Sequence, residues 1–538
     1  MTASLRMLYN RAPATKVIGE IQKRRADAGK LVAGVAAASN SDMFKGPQDG
    51  KPNAKRWDRE PPTFSVRNST NSAVDHLSEE SRMRQPCALK QAARHLNKPG
   101  LISLGGGLPS SQVFPFAELS MKIPVVPEFS EQSTSQSGVH ETIGKYDIQN
   151  GKAEYDLSIA LNYGQATGSA QMMRFLTEHT EIICQPPYAD WAVCQTIGST
   201  GALEQAVRMF CDKNRRDAVL TEEFSFSTAL ETIEPLGVGT FGTPIDSQGI
   251  IPAAMDDLLS NWDESTRGFR KPHVLYTVPS GQNPTGATQG AERRRAIYAA
   301  AQKHDMVIIE DEPYFFLQME PYGQNQDRTA HTVDEFVDSL VQPYVSIDVD
   351  GRVMRLDSFS KVLAPGSRLG WVVASQQLIE RYQRHAEVAS QGPSGFSQVI
   401  LHKLLDETWG HEGYLKWLMN LRTEYTLKRD ALMAACEKHL PRDIVSWTPP
   451  AAGMFVWLTV DHTKHPDHGK RKLEDIEQEI FDACIDGGVL VALGSWFRAE
   501  KHVPLSGLYF RATYAMASPE NMDIAISRFG DAVRASFR

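Results

Sequence analysis

Short apolar runs alternating with helix-period stretches dominate the middle of the chain. Ala218–Thr221, Val274–Val278, Met306–Ile309, Val353–Leu356 and Leu369–Val373 read as strands, each a run of aliphatic residues with polar or glycine-containing stretches at its ends. That alternation, from about Gln195 to Ala374, predicts an α/β domain around a mostly parallel sheet, with functional residues just past the carboxyl ends of the strands. Long helical patterns follow Ser375, then strand-like runs at Gly453–Leu458 and Leu508–Thr513. The closing helix starts at Ser518-Pro519-Glu520, an N-cap followed by proline, with Met522, Ile526, Phe529, Val533 and Phe537 on one face. These later elements predict a smaller α+β domain. Residues 1 to about 95 read instead as an arm, with one charged helix near Lys16–Ala28 and a run punctuated by Pro61 and Pro62. Ser130–Ser137 lacks apolar periodicity and reads as an inserted surface loop. The expected division is an arm over 1–95 that partly joins the small domain, a large domain over 96–385 with an insertion near 122–155, and a small domain over 386–538.

At 538 residues with 41% hydrophobic content, the chain is long enough for more than one core. A net charge of −8 argues against a nucleic-acid or anionic-lipid partner. The longest apolar run, Leu31–Ala38, is too short to span a bilayer. Six scattered cysteines without CxxC spacing fit a reducing compartment, and cytoplasm is the expectation. Arg6, Arg11 and Lys16 ahead of the first acidic residue, Glu20, give the start a faint mitochondrial character. His462, His465 and His468 are spaced HxxHxxH, but Pro466 and Gly469 make this a loop, and no metal site is expected. Arg293–Arg295 reads as the solvated face of a helix, and Phe315, Phe316, Tyr414 and Trp417 as packing residues.

Several strand ends carry chemistry. The run MVIIEDEPY ends a strand in carboxylates, and Asp311 is placed to keep a pyridine-type ring nitrogen protonated, which makes such a ring an electron sink. In VMRLDSFSKVLAPGSR, Lys361 can form an imine with an aldehyde cofactor, and Arg368 offers a planar fork to a phosphate that Ser358 and Ser360 can also bond. TIGSTGA opens a helix, so the amides of Ser199, Thr200 and Gly201 would face an anion. VPSGQNPTG puts Asn283 at a strand end, where its amide can reach a phenolic oxygen. Each motif alone could be an ordinary cap or turn; their co-occurrence is what carries information.

Together these segments resemble the fold type I pyridoxal 5′-phosphate (PLP) enzymes, specifically the fungal aromatic amino acid aminotransferases and the kynurenine/2-aminoadipate aminotransferases. The resemblance runs from about Ile102 to the carboxyl end, in the order GGGLP, NYGQATG, GSTGA, EEFSFS, QNPTG, EDEPY, SFSK, Arg368 and YFRATYA. It implies a seven-stranded sheet, with Lys361 as the Schiff-base lysine, Asp311 as the ring-nitrogen partner, and Asn283 with Tyr314 on the ring hydroxyl. Phe226, where relatives often have Tyr, would stack on the ring, and Thr200 stands where many carry Gln. Arg511 would clamp the substrate carboxylate, helped by amides near Gly106 or Gly107, and Asn283 would also border the substrate. Tyr163 would reach the partner's site in a homodimer with shared active sites.

The implied reaction moves an amino group from an aromatic or related L-amino acid to a 2-oxo acid such as 2-oxoglutarate. Lys361, freed by substrate, relays the α-proton, and the kinetics are ping-pong. Three rivals use other chemistry: a lyase or decarboxylase on the same scaffold, a ligand-sensing regulator, and a cofactor-less relative. The regulator would need a helix-turn-helix that residues 1–95 do not offer, and the cofactor-less relative would lack Lys361 and its partners. Among phenylalanine, tyrosine, tryptophan, kynurenine and 2-aminoadipate the sequence makes no choice.

Overall fold

The computed structural model describes residues 11–31, 34, 37–55, 76–93, 95–96, 98, 100–323 and 332–538. Arg6, Pro61 and Pro62 lie outside them. The chain divides into two compact units, one of Met1–Cys211 with Ala330–Asn420, the other of Asp212–Thr329 with Leu421–Arg538.

In the first unit the strands Trp191–Thr196, Val353–Ser358 and Gly370–Ser375 are buried along their whole length, as their apolar runs require. Gly370–Ser375 pairs antiparallel with both others, setting Leu356 against Val372 and Cys194 against Val372. The helix Ala14–Ala28 buries Ala14, Val17, Ile18 and Ile21, an i, i+3, i+4, i+7 stripe. Its last turn is held by ion pairs from Arg24 to Glu181 and from Arg25 to Glu178 and Asp406. The strands Glu118–Ile123 and Val139–Gly144 form an antiparallel hairpin. Between them Ser130–Ser137 is not the loop expected from its composition. It is a short exposed helix, Glu131–Ser137, capped by Ser130, whose hydroxyl accepts from the Ser133 amide at 3.0 Å. Thr134 and Ser137 return their hydroxyls to carbonyls one turn back, so polar side chains satisfy the helix without a core face.

The second unit holds four parallel strands, Ala218–Glu222, Gly239–Thr243, Val274–Thr277 and Val307–Asp311. It also holds an antiparallel sheet ordered Val445–Trp447, Phe455–Val460, Leu508–Thr513, Ala492–Leu493. The helix Pro519–Ser536 begins as its sequence dictates, with the Ser518 hydroxyl accepting from the Asn521 amide. The basic run Arg293–Arg295 corrects the solvated-face expectation. Arg294 is 1% exposed and donates to Glu312, Ser280 and the Gln289 carbonyl at 2.8–3.0 Å. It sits three and four residues before Ile297 and Tyr298, on the buried face of Ala291–Lys303, where the carboxylates of Glu310 and Glu312 together with its hydrogen bonds make a guanidinium tolerable.

Within the first unit the strands run in the order 191–196, 370–375, 353–358, and within the second the parallel strands run in the order 307–311, 274–277, 218–222, 239–243, the α/β arrangement expected of fold type I. Among the described residues no helix is long and apolar enough to cross a membrane.

Candidate active site

In the first unit the strand Trp191–Thr196 leads through Ile197 and Gly198 into the helix Ser199–Phe210. Gly198 has φ +96°, and a Cβ there would lie 2.5 Å from Arg368 Nη2, so only glycine lets the guanidinium close on this turn. Arg368, itself at φ +46°, donates to Ser360 Oγ at 3.2 Å and to the carbonyls of Pro365 and Ile197 at 2.9 and 3.3 Å. Ser358 Oγ bonds Ser360 Oγ at 2.8 Å. Ser199 Oγ is buried and has no hydrogen-bond partner among the described residues. The opening amides of Ser199, Thr200 and Gly201, the hydroxyls and one guanidinium form a set able to donate, which suits a dianionic phosphate. Lys361 follows Ser360 directly, half-buried at the start of the turn after Val353–Ser358. The structure does not bring Tyr163, Gly106 or Gly107 into this set; all three lie on exposed segments.

In the second unit Val307–Asp311 ends at Asp311, which is 4% exposed. Tyr276, fully buried on the neighbouring strand, donates its hydroxyl to Asp311 Oδ2 at 2.9 Å. Burial, then the nearby Asp311 charge, pushes the Tyr276 hydroxyl well above its ordinary value, so it remains a donor. Tyr314 is likewise buried and pushed upward, first by desolvation and then by Asp311, with Arg511 opposing.

Arg511 lies on Leu508–Thr513 with its guanidinium over the Phe455 and Phe497 rings, 4.3 and 4.7 Å from their centroids. Its Nη1 donates to Asn283 Oδ1 at 2.6 Å. Desolvation lowers its pKa and the coupling to Tyr314 raises it. A planar cation held between two rings keeps one orientation, the geometry that receives a carboxylate through two parallel bonds. The Asn283 loop is fixed by Gln282, which donates to the Phe224 carbonyl at 2.6 Å, and by Gly281 at φ +58°, where a Cβ would come within 2.5 Å of Gly453. Phe226 is half-buried at the start of the helix Ser227–Ile233.

Sequence reasoning missed Tyr276, Phe455 and Phe497. The first sits inside an apolar strand and the second in the run GMFVWL, where an aromatic reads as core. Also unforeseen, Glu178, Asp406 and His411 place ligand-type atoms within 4.8 Å of one another. The Arg25 guanidinium already pairs with both carboxylates.

A turn of hydrogen-bond donors next to a lysine in one unit suits a phosphate, and the buried strand-end carboxylate in the other suits a ring nitrogen; PLP chemistry uses groups of both kinds. Known proteins fit that class. The family of class I and II aminotransferases matches residues 160–529. An aromatic amino acid aminotransferase of Schizosaccharomyces pombe is 42% identical over 468 residues, 86% of this chain and 98% of the relative. The mitochondrial kynurenine/alpha-aminoadipate aminotransferase of Bos taurus is 33% identical over 476 residues, 86% and 98% of the two chains. The crystal structure of the aminotransferase Aro8 from Candida albicans superposes with a TM-score of 0.80 at 39% identity, covering 90% of this chain and all of that one. The chain belongs to the class I and II aminotransferases, and PLP is its cofactor.

Proposed function

We propose that the enzyme moves the amino group of an aromatic or related L-amino acid, such as phenylalanine, tyrosine, tryptophan, kynurenine or 2-aminoadipate, to a 2-oxo acid such as 2-oxoglutarate. The observation that carries this reading is the Arg511 guanidinium set between Phe455 and Phe497 with one nitrogen on Asn283, a carboxylate clamp with aromatic neighbours. The names of the S. pombe and B. taurus relatives support the substrate class.

In this reading Ser199, Thr200, Gly201, Ser358, Ser360 and Arg368 hold the cofactor phosphate. Asp311 holds positive charge at the ring nitrogen, Asn283 and Tyr314 bond the ring oxygen, and Phe226 lies against the ring. Bound PLP supplies an aldehyde carbon and an electron-withdrawing ring. Arg511 orients the substrate carboxylate, and the Lys361 amine accepts the α-proton and delivers it to the cofactor carbon across the nitrogen; the amino group would stay with the cofactor when the first oxo acid leaves, so kinetics are ping-pong. Gly106 or Gly107 amides assist the carboxylate. A homodimer with Tyr163 reaching the partner's site is part of the proposal. Exposed apolar side chains at Leu101, Ile102, Leu104 and Val113 favour a covered surface there. Six scattered cysteines without CxxC spacing favour a reducing compartment, and cytoplasm is the proposed location.

The visible spectrum of the purified protein with PLP tests this reading. A yellow band that Lys361→Ala abolishes, and that aromatic amino acids bleach with release of one oxo acid per site, is expected. A band bleached by none of the donors would point to a lyase or decarboxylase instead, and no band would remove Lys361 from its role.

A further inference from the structure

Lys361 sits in a tight turn. The amides of Val362, Leu363 and Ala364 all point to the Phe359 carbonyl, at 3.3, 2.9 and 3.2 Å, and the Phe359 amide closes on the Leu369 carbonyl at 3.1 Å. The carbonyl of Val362, the residue directly after the lysine, is taken by the indole N–H of Trp417 at 2.7 Å. An indole has one donor and no acceptor, so this bond fixes both ring and peptide.

Trp417 is in turn braced. It lies 5.6 Å from Trp409, two turns earlier, and Phe129 meets both indoles edge-on at 5.3 and 5.8 Å. Phe129 lies between the strands of the hairpin over 118–144. The hairpin is tied at the same place, because Trp409 Nε1 donates to the Pro124 carbonyl at 3.1 Å. Gly413 lets it approach, since a Cβ there would lie 3.2 Å from Val126 and 3.0 Å from Trp409. A chain of contacts thus runs from the hairpin through two indoles to the peptide next to the lysine.

We propose that Trp417 is a positioning residue for Lys361, and that the 118–144 hairpin, through Phe129, holds Trp417 in place. The inference rests on the reading of Lys361 as the cofactor-binding lysine. Without the indole bond the Val362–Leu363 peptide is held only from its amide side, by the Phe359 carbonyl, and the turn that sets the direction of Lys361 loses its outer tether.

The test compares holoenzymes carrying Trp417→Phe, which keeps an aromatic ring but loses the donor, and Phe129→Ala, which removes the brace. Each is measured for kcat, donor KM, thermal midpoint and the pH titration of the visible band. Loss of one hydrogen bond at the lysine is expected to lower kcat about fivefold in Trp417→Phe with KM within about twofold, and to move the titration midpoint by about half a pH unit or more. Phe129→Ala should shift both in the same sense by less. A lower thermal midpoint with unchanged kcat and band titration in both variants would mean plain packing and overturn the inference. Lys361→Ala separates the two readings. If it keeps the band, the assignment of Lys361 falls and this inference with it; if it loses the band while Trp417→Phe matches the parent, this inference alone falls.

Discussion

Tyr276→Phe removes one oxygen from a fully buried side chain and leaves the ring in its packing. The lost bond is the 2.9 Å donation to Asp311 Oδ2, made across neighbouring parallel strands in which Tyr276 pairs with Ile309, two residues before the aspartate. A hydrogen bond to a charged group contributes about 1.5–3 kcal/mol, and each 1.4 kcal/mol corresponds to roughly tenfold. Asp311, 4% exposed, loses one of its donors, and in the role proposed for it at the ring nitrogen its orientation slackens. The expected outcome is a PLP dissociation constant raised about tenfold, measured by fluorescence, and a single-turnover rate with an aromatic donor lowered by at least a similar factor. The pH behaviour follows from the sign of the Tyr276 shift. Burial and the neighbouring carboxylate push its hydroxyl well above the ordinary tyrosine value, so it keeps its proton throughout the working range. The penalty should therefore be flat from about pH 6 to about pH 9. A variant within twofold of the parent in both measurements, or one whose penalty varies steeply with pH in that range, would refute the role given to this bond.

Two further outcomes are expected. Gly198→Ala forces a left-handed φ on an L-residue and drives a Cβ toward Arg368; PLP affinity measured by titration should fall at least about tenfold, and unaltered affinity would remove Arg368 from the phosphate cradle. Arg25→Ala leaves Glu178 and Asp406 without their shared cation and should lower unfolding free energy by about 3 kcal/mol, at the low end for a broken buried pair because Arg25 is 26% exposed. Burial alone would raise both carboxylates; Arg25 and His411 around Glu178, and His402, Arg25 and Arg174 around Asp406, outweigh it and hold them below the usual range. A depressed folded-state pKa gives stability that is present above the unfolded value of about 4 and lost as pH falls through the folded one. Denaturant midpoints of parent and variant should thus differ most near neutrality and converge in strong acid; curves that stay parallel would count against the pairing.

The sequence was most readable where a rule is local. Val274–Thr277 and Val307–Asp311 are uninterrupted apolar runs, and Ser518-Pro519 marks a helix start that needs no partner elsewhere. Family motifs supplied the proposed site residues, because their order survives in one dimension. What stayed hidden depends on meetings between distant residues: Tyr276 with Asp311 across 35 positions, Asn283 with Arg511 across 228, Arg25 with Asp406 across 381. Nothing local to either partner signals such a meeting. Arg294 shows the opposite error, since a charged residue in a basic run hides the helical periodicity that buries it. In Ser130–Ser137, hydroxyls replaced the apolar stripe by which a helix is usually recognised.

The antiparallel pairing of Trp191–Thr196 with Gly370–Ser375 bears on how the polypeptide is made. Trp191–Thr196 is the end strand of its sheet, and its neighbour is Gly370–Ser375. At roughly 5–20 residues per second, the ribosome needs on the order of 10–35 s after Thr196 to complete Ser375. Throughout that interval an apolar strand has its amides and carbonyls without their ladder partner, the state in which nascent chains pair with one another. The order of translation therefore leaves this edge without its partner until the late strand arrives.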